Sequence, residues 1–453
     1  MANNVVVEKA RFLWSGARVA ARHTPEYRNR YVDLLRAASI WAVVLGHWLT
    51  TAPFVADGLL RFDYMLHIAP WTAWLTWVFQ VMPVFFMVGG YANAASWDSA
   101  RTKGEGYEAW VAARLYRLTR PVVPLVLLWA GLAMLARPLG VDAGLVADGS
   151  RVALVPIWFL SVYIMVVVTV PLTHRAWRRA GAASFWLFAL CAVAVDIAGL
   201  AGGFPLLRWV NYVFVWFAVH QLGYLWRAGR IGGPLSALLW CAGGLAVLLL
   251  LVAVAGYPIS MVSVPGAELS NSRPPTVALI ALAAFQGGLL LSLEGPARRW
   301  LRGVGPWAAT ILVNRSIMTF YLWHMTVMVL VIGLLLLLGG IGLTPRPGSG
   351  AWWISRPLWV AGLGLLLVPV SLLFSPLEQT TRSAETRPLP GWQAVVGAGL
   401  ACFGMVLLAI GGVGGEGPLA IRLWAVLPVL LGAWLVSHPR LLSRNPKPGA
   451  RRR

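Results

Sequence analysis

Apolar stretches close to 20 residues long recur from one end of this chain to the other, separated by short arginine-bearing segments. A helix of about 20 apolar residues has the length of a bilayer's hydrocarbon core. Composition agrees: of 453 residues 59% are hydrophobic and 12% charged, with mean hydropathy +0.72. An average soluble domain is about 25% charged. A disordered chain, a fibrous repeat and a soluble globular protein are all excluded. In hydrocarbon every backbone polar group must be satisfied internally, which leaves helices for runs this long. The expected fold is therefore all-α: a polytopic transmembrane helical bundle with the lipid bilayer as its main partner.

Spans are expected near 32–50, 72–95, 119–136, 152–171, 184–201, 206–226, 235–254, 275–292, 316–338, 353–374, 393–413 and 420–436, twelve in all. Pro121, Pro124 and Arg208 interrupt or flank the third and sixth. The basic residues test this count, because cytoplasmic loops are enriched in Lys and Arg. With a cytoplasmic N-terminus, 28 of the 37 Lys and Arg fall inside and 8, among them Arg151, Arg273 and Arg356, fall outside. Arg36 is left within the first span. Both termini are thus expected to be cytoplasmic, in a multi-pass protein of the plasma membrane. The same distribution reads the net charge of +21 as membrane topology, and no nucleic-acid partner is expected.

Five regions follow. Residues 1–30 form a basic cytoplasmic leader with an interfacial helix near Phe12–Val19. Residues 31–375 form the main membrane domain, 376–391 a cytoplasmic loop carrying Arg382 and Arg387, 392–437 two further spans, and 438–453 a basic tail. Cys191, Cys241 and Cys402 lie in apolar runs at spacings that fit neither a disulfide framework nor a metal site. No metal is expected.

Ionisable residues inside spans are costly and point to function. The first span, YVDLLRAASIWAVVLGHWLT, holds Asp33, Arg36 and His47. On an ideal helix the step from Arg36 to His47 turns about 20° net and rises about 16 Å, so both share a face, and Asp33 lies within about 40° of it. Asp33 and Arg36 also have the i,i+3 spacing of an ion pair. In ARLYRLTRPVVP, Arg114, Arg117 and Arg120 recur every three residues. Guanidiniums so arranged suit a phosphate or diphosphate, and equally anchor a helix against anionic lipid. RSIMTFYLWHM places Ser316, Tyr321 and His324 near the start of the ninth span. MPVFFMVGGYANAAS offers Gly89, Gly90 and Asn93, the glycines also being what close helix packing uses. Trp158, Ser161 and Tyr163, with Asp196 and the isolated His220, are further cavity candidates, Asn93, Trp158 and Asp196 foremost.

Taken in order, these segments resemble the acyltransferase 3 family over roughly 30–340. RYVDLLRAASIWAVVLGH is similar to its first-span signature, with Arg36 three residues after Asp33 and His47 after ten more. ARLYRLTRP is similar to its Arg-x-x-Arg motif before a proline, and IWFLSVYIM and SIMTFYLWH to its Trp-aromatic-Leu and Ser…Tyr-Leu-x-His segments. MPVFFMVGGY departs from the pattern, since Gly89 stands where the family usually has Ser. The resemblance implies a core of about ten spans and transfer of an acyl group from cytoplasmic acyl-CoA to a hydroxyl beyond the membrane. The two spans from 393 onward are then additions.

The residues and the resemblance together give an expected mechanism. Arg114, Arg117 and Arg120 hold the phosphates of acyl-CoA, with Tyr321 and His324 also on the donor's side. The pantetheine arm runs along the polar stripe past Arg36, which Asp33 orients. His47, a neutral imidazole near pH 7, takes the acceptor's proton. Acetyl-CoA is the expected donor. The expected acceptor is an extracytoplasmic sugar, glycolipid or secondary metabolite. Oligomeric state has no signature. The competing reading is a secondary transporter of a small anionic or polar solute, for which twelve spans is also a suitable number; the absence of a repeat between the halves speaks against it.

Overall fold

The computed structural model of the chain describes residues 2–26, 28–379, 389–417 and 419–437. Arg382, Arg387 and the expected basic tail at 438–453 lie outside the described residues. Helix α1 (Ala2–Arg22) leads into α2 (Arg30–Thr50). The Asn29 side-chain oxygen accepts the Tyr31 N–H and so starts α2 one residue past the cap. Two antiparallel strands follow, β1 (Thr51–Ala56) and β2 (Leu59–Tyr64), with Thr51 opposite Tyr64. This hairpin is a small addition to an otherwise helical chain, and the expected all-α class stands. Its signal was present: Asp57-Gly58 between apolar flanks is a favoured two-residue turn, and both residues take positive φ, 54° and 74°.

After α3 (Met65–Ile68) and α4 (Thr76–Phe79) come α5 (Met82–Thr102), α6 (Tyr107–Thr119) and α7 (Val122–Ala136). Next are α8 (Ala143–Leu154), α9 (Ile157–Ala180), α10 (Ala183–Leu200), α11 (Asn211–Arg227) and α12 (Pro234–Ala253). The chain continues through α13 (Val277–Ser292), α14 (Glu294–Trp300), α15 (Val304–Arg315), α16 (Ile317–Leu337) and α17 (Gly350–Gln379). It closes on α18 (Gly391–Gly411) and α19 (Leu423–Ser437).

Among the described residues nine helices are long and apolar enough to cross a membrane, or ten if α13 and α14, bent by 50°, form one span. The expected twelve places all hold helices, but α11 has 17 residues and α19 has 15, which puts both below that length. The third span begins earlier than expected, at Tyr107, because α6 carries its arginines within the helix rather than ahead of it. The leader is helical over more than 12–19: α1 packs on α15, burying Ala17 and Ala21, while Phe12 and Val19 point away from the protein. The Trp307 indole N–H, fully buried, donates to the Thr24 hydroxyl at 2.8 Å and pins this joint.

Without a hydrophobic drive between helices in lipid, close contact depends on small residues. Gly90 of α5 meets Gly223 of α11 in this way. A Cβ on Gly90 would sit 2.0 Å from the His220 carbonyl oxygen, and one on Gly223 would sit 2.1 Å from the Met87 oxygen. Gly90 is therefore a packing residue. Gly90→Ala forces two backbones apart, a change that costs about 1–3 kcal/mol. The variant is expected to melt below the wild type in detergent. Gly131→Ala, whose Cβ enters open space, is the control expected to leave the melting temperature unchanged.

Candidate active site

At the start of α2, Asp33 is buried and holds two arginines. Its carboxylate lies 2.8 Å from Arg28 Nε and 3.4 Å from Arg36 Nη1. The i,i+3 pair read from the spacing is present, and Arg28 joins it. Asn314, at the end of α15, donates its side-chain N–H to the Asp33 carbonyl at 2.9 Å. That bond sets α16 level with α2. His324 lies seven residues along α16 from its start at Ile317 and stands beside the C-terminal part of α2. There His47 Nδ1 and His324 Nε2 are 2.8 Å apart, and the two rings are parallel within 4°.

Hydrogen bonding fixes the tautomers of this pair. His324 Nδ1 lies 2.6 Å from the Tyr321 carbonyl oxygen, which can only accept. His324 therefore carries its proton on Nδ1, and as a neutral imidazole it has a bare Nε2. That nitrogen must accept, so His47 donates from Nδ1. The remaining nitrogen of His47, Nε2, is then the unprotonated one. His324 itself is fully buried, and its backbone carbonyl accepts the Trp48 indole N–H at 3.1 Å. The first turn of α16 is held from α17: the Glu378 carboxylate accepts the Met318 and Thr319 N–H groups at 3.0 and 3.1 Å and the Thr319 hydroxyl at 3.0 Å. A carboxylate at a helix N-terminus satisfies open donors there and complements the dipole.

His47 faces a cavity of about 2030 Å³. Trp41, Trp129, Trp158, Tyr321 and Met325 line it deep in the bundle; the β1–β2 hairpin, α8 and the loop at 262–273 form its rim. These rim segments lie at the end of the bundle where α2 finishes. Cys402, Val406 and Ile410 of α18 complete one wall, so the first of the two expected additional spans belongs to the cavity. The Ser161 carbonyl accepts the Cys402 thiol at 3.3 Å and ties that wall to α9. Tyr321 donates its hydroxyl to the Pro156 carbonyl at 2.7 Å.

Several expected placements are corrected. The cavity follows α2 from Thr50 past His47 to Trp41 and Ala38, and stops short of Arg36. Trp41 packs on Phe320 at 5.2 Å between ring centroids, so the stretch between Arg36 and His47 is apolar and not a continuous polar stripe. His324 is the partner of His47 and is sealed from the basic cluster. Asn93 is buried off the cavity, with its amide 3.2 Å from His220 Nε2. Asp196 is also off the cavity: it accepts from Asn211 at 2.7 Å, from the Val277 N–H at 2.9 Å and from Tyr257 at 3.0 Å. It joins α10, α11 and α13, and burial, with the Asp196 charge second, holds the Tyr257 phenol above its ordinary range as a donor. Trp158 does line the cavity.

None of Arg114, Arg117 and Arg120 reaches the cavity. Arg114 lies 4.0 Å over the Trp110 ring, Arg120 is bonded to the Tyr116 hydroxyl, and Arg117 is exposed within electrostatic range of Glu378. The cluster thus stands near the buried end of the helix that carries His324. At Gly89 a Cβ would come within 3.0 Å of the Tyr163 ring and 3.3 Å of its hydroxyl, so Tyr163 occupies the space a serine side chain would use.

What the sequence missed is the His47–His324 pair. Both histidines were visible; their meeting depended on the height at which α16 enters, which the Asn314–Asp33 bond sets. No curated protein and no solved structure matches the chain. The model of the acyltransferase 3 family, described as an acyltransferase domain, matches residues 29–376, a stretch that holds α2, the arginine cluster and the histidine pair. The chain belongs to the acyltransferase 3 family and is a membrane acyltransferase.

Proposed function

We propose that the protein transfers an acyl group, acetyl foremost, from acyl-CoA bound at the face where α2 begins to a hydroxyl held in the cavity. The acceptor class is a carbohydrate, a glycolipid or a related hydroxyl-bearing metabolite. The observation that carries this reading is His47 Nε2: unprotonated by the tautomer chain, without a hydrogen bond to the described residues, and on the cavity wall. In the transfer, His47 Nε2 takes the acceptor's O–H proton as the oxygen adds to the thioester carbonyl carbon. The tetrahedral intermediate collapses, the C–S bond breaks, and the proton on His47 goes to the departing CoA sulfur. His324 steadies the imidazolium between these steps, since its bare Nε2 continues to accept from His47 Nδ1.

The donor's nucleotide is a polyanion and does not enter hydrocarbon. Arg114, Arg117 and Arg120 hold its phosphates in this reading, and Arg36, set by Asp33, guides the arm. From Ala38 to His47 is a rise of about 14 Å. The arm therefore enters the cavity floor by parting Trp41 from Phe320. The experiment is mass spectrometry of envelope glycans and lipids from cells with and without the gene. One class of molecule is expected to lose a single acyl increment on deletion, and restoration by the wild-type gene but not by His47→Ala is expected. Identical acyl profiles in the two strains would refute the reading.

A further inference from the structure

Between the ends of α5 and α9 lies a further cavity, of about 600 Å³. Trp97 and His174, both buried, form its floor, and the exposed Arg101, Arg175, Arg178 and Arg179 stand at its mouth. Arg101 comes from the last turn of α5, and the other three from the last turns of α9. Leu172, the residue of this stretch most exposed to lipid, is turned about 160° from His174 and about 120° from Arg178. The cavity therefore opens away from that lipid flank.

The charge in it is unbalanced. Asp98, at its edge, is already held, 2.6 Å from Arg227 Nη1 and 3.2 Å from His174 Nε2. Arg101, Arg175, Arg178 and Arg179 have no ion pair or hydrogen bond among the described residues. Arg101 and Arg178, from different helices, both come within electrostatic range of His174, so the guanidiniums converge on one floor. A cleft lined by one sign of charge concentrates the opposite sign, and the guanidinium fork matches phosphate oxygens.

Position says which phosphate. The Glu294 carboxylate accepts from Asn29, the cap of α2, at 3.4 Å and from the Trp226 indole N–H at 3.0 Å, and Arg227 beside it meets Asp98. The cavity is thus at the end of the bundle where α2 begins. Two indoles separate it from the other arginine cluster: Trp97 meets Trp110 edge-on at 5.3 Å, and Arg114 lies 4.0 Å over Trp110. CoA carries two phosphate groups on one ribose, a diphosphate at the 5′ position and a monoester at the 3′ position. With the diphosphate at Arg114, Arg117 and Arg120, the monoester needs a second basic site close by on the same face.

We propose that the cavity between α5 and α9 binds the 3′-phosphate of the donor and so selects CoA over its 3′-dephospho form. This inference rests on the acyl-CoA reading above.

The test is calorimetric titration of the full-length protein in detergent with CoA and with 3′-dephospho-CoA. The wild type is expected to bind CoA about tenfold more tightly, the size of one charge-assisted contact to phosphate. Arg178→Gln and, on the other helix, Arg101→Gln are each expected to remove most of that preference and to leave affinity for 3′-dephospho-CoA unchanged. Arg299→Gln, an exposed arginine of α14 outside the cavity, makes the same change in net charge and is expected to alter neither affinity. The wild-type preference is expected to survive added phosphatidylglycerol; its loss would assign the cavity to a lipid headgroup and overturn the proposal. Equal wild-type affinity for the two coenzymes, or an equal effect of Arg299→Gln, would overturn it while leaving acyl-CoA as the donor. Binding of neither coenzyme would refute the donor reading and the cavity's role together.

Discussion

His47→Ala is expected to lower acyl transfer by about 10²–10⁴-fold, the range for loss of a general base. The substitution removes the only nitrogen that the hydrogen-bond chain leaves bare and aimed into the cavity. His47 is half-buried on a cavity wall, so the space its loss leaves opens into the cavity rather than into the packed core. Expression and melting temperature are therefore expected to stay near those of the wild type. Rates for the wild type are expected to fall as pH drops, because a protonated imidazole cannot accept the acceptor's proton. The check is turnover at saturating acyl-CoA, measured as labelled product in reconstituted vesicles. Turnover in His47→Ala within twofold of the wild type would remove His47 from the chemistry.

The second large effect is expected at His324, which touches neither donor nor acceptor and acts by positioning His47. His324→Leu leaves the His47 Nδ1–H without an acceptor. The ring can then turn, and the nitrogen presented to the cavity is no longer fixed. Turnover is expected to fall by about 10²-fold or more. His324→Gln supplies a carbonyl oxygen at a similar reach and is expected to recover most of that loss. A purely structural role would place both variants together, with lowered melting temperatures and no rescue. A split in turnover between Leu and Gln at equal melting temperature is the signature of positioning.

How much of this was legible follows from the range of each signal. The apolar runs gave the helices because each run reports on its own length. The Asp33–Arg36 pair was legible because i,i+3 spacing on a helix is geometry within one segment. The Asp57-Gly58 hairpin was missed although its turn signal is local, because the apolar count dominated the reading. The His47–His324 pair lies 277 residues apart in sequence and depends on the height of α16, set by Asn314 and by Glu378. No single-segment pattern carries that height. Asn93 and Asp196 show the converse: polar residues in apolar runs were read toward the cavity, but each had a buried partner on a neighbouring helix. Arg356, counted among the loop charges ahead of the tenth span, stands buried inside α17; a charge at a span's edge reads as loop until the helix boundary is known.

The central claim is a reaction divided across the bundle, with the donor's charged head at the Arg117 end and the acceptor at the end where the β1–β2 hairpin closes the cavity rim. Oriented proteoliposomes test it most directly. Labelled acetyl-CoA is supplied only on the Arg117 face and a membrane-glycan extract only on the hairpin face. The expected result is label on the extract from the wild type and none from His47→Ala. Transfer that requires donor and acceptor on the same face, or that proceeds equally without His47, would contradict it.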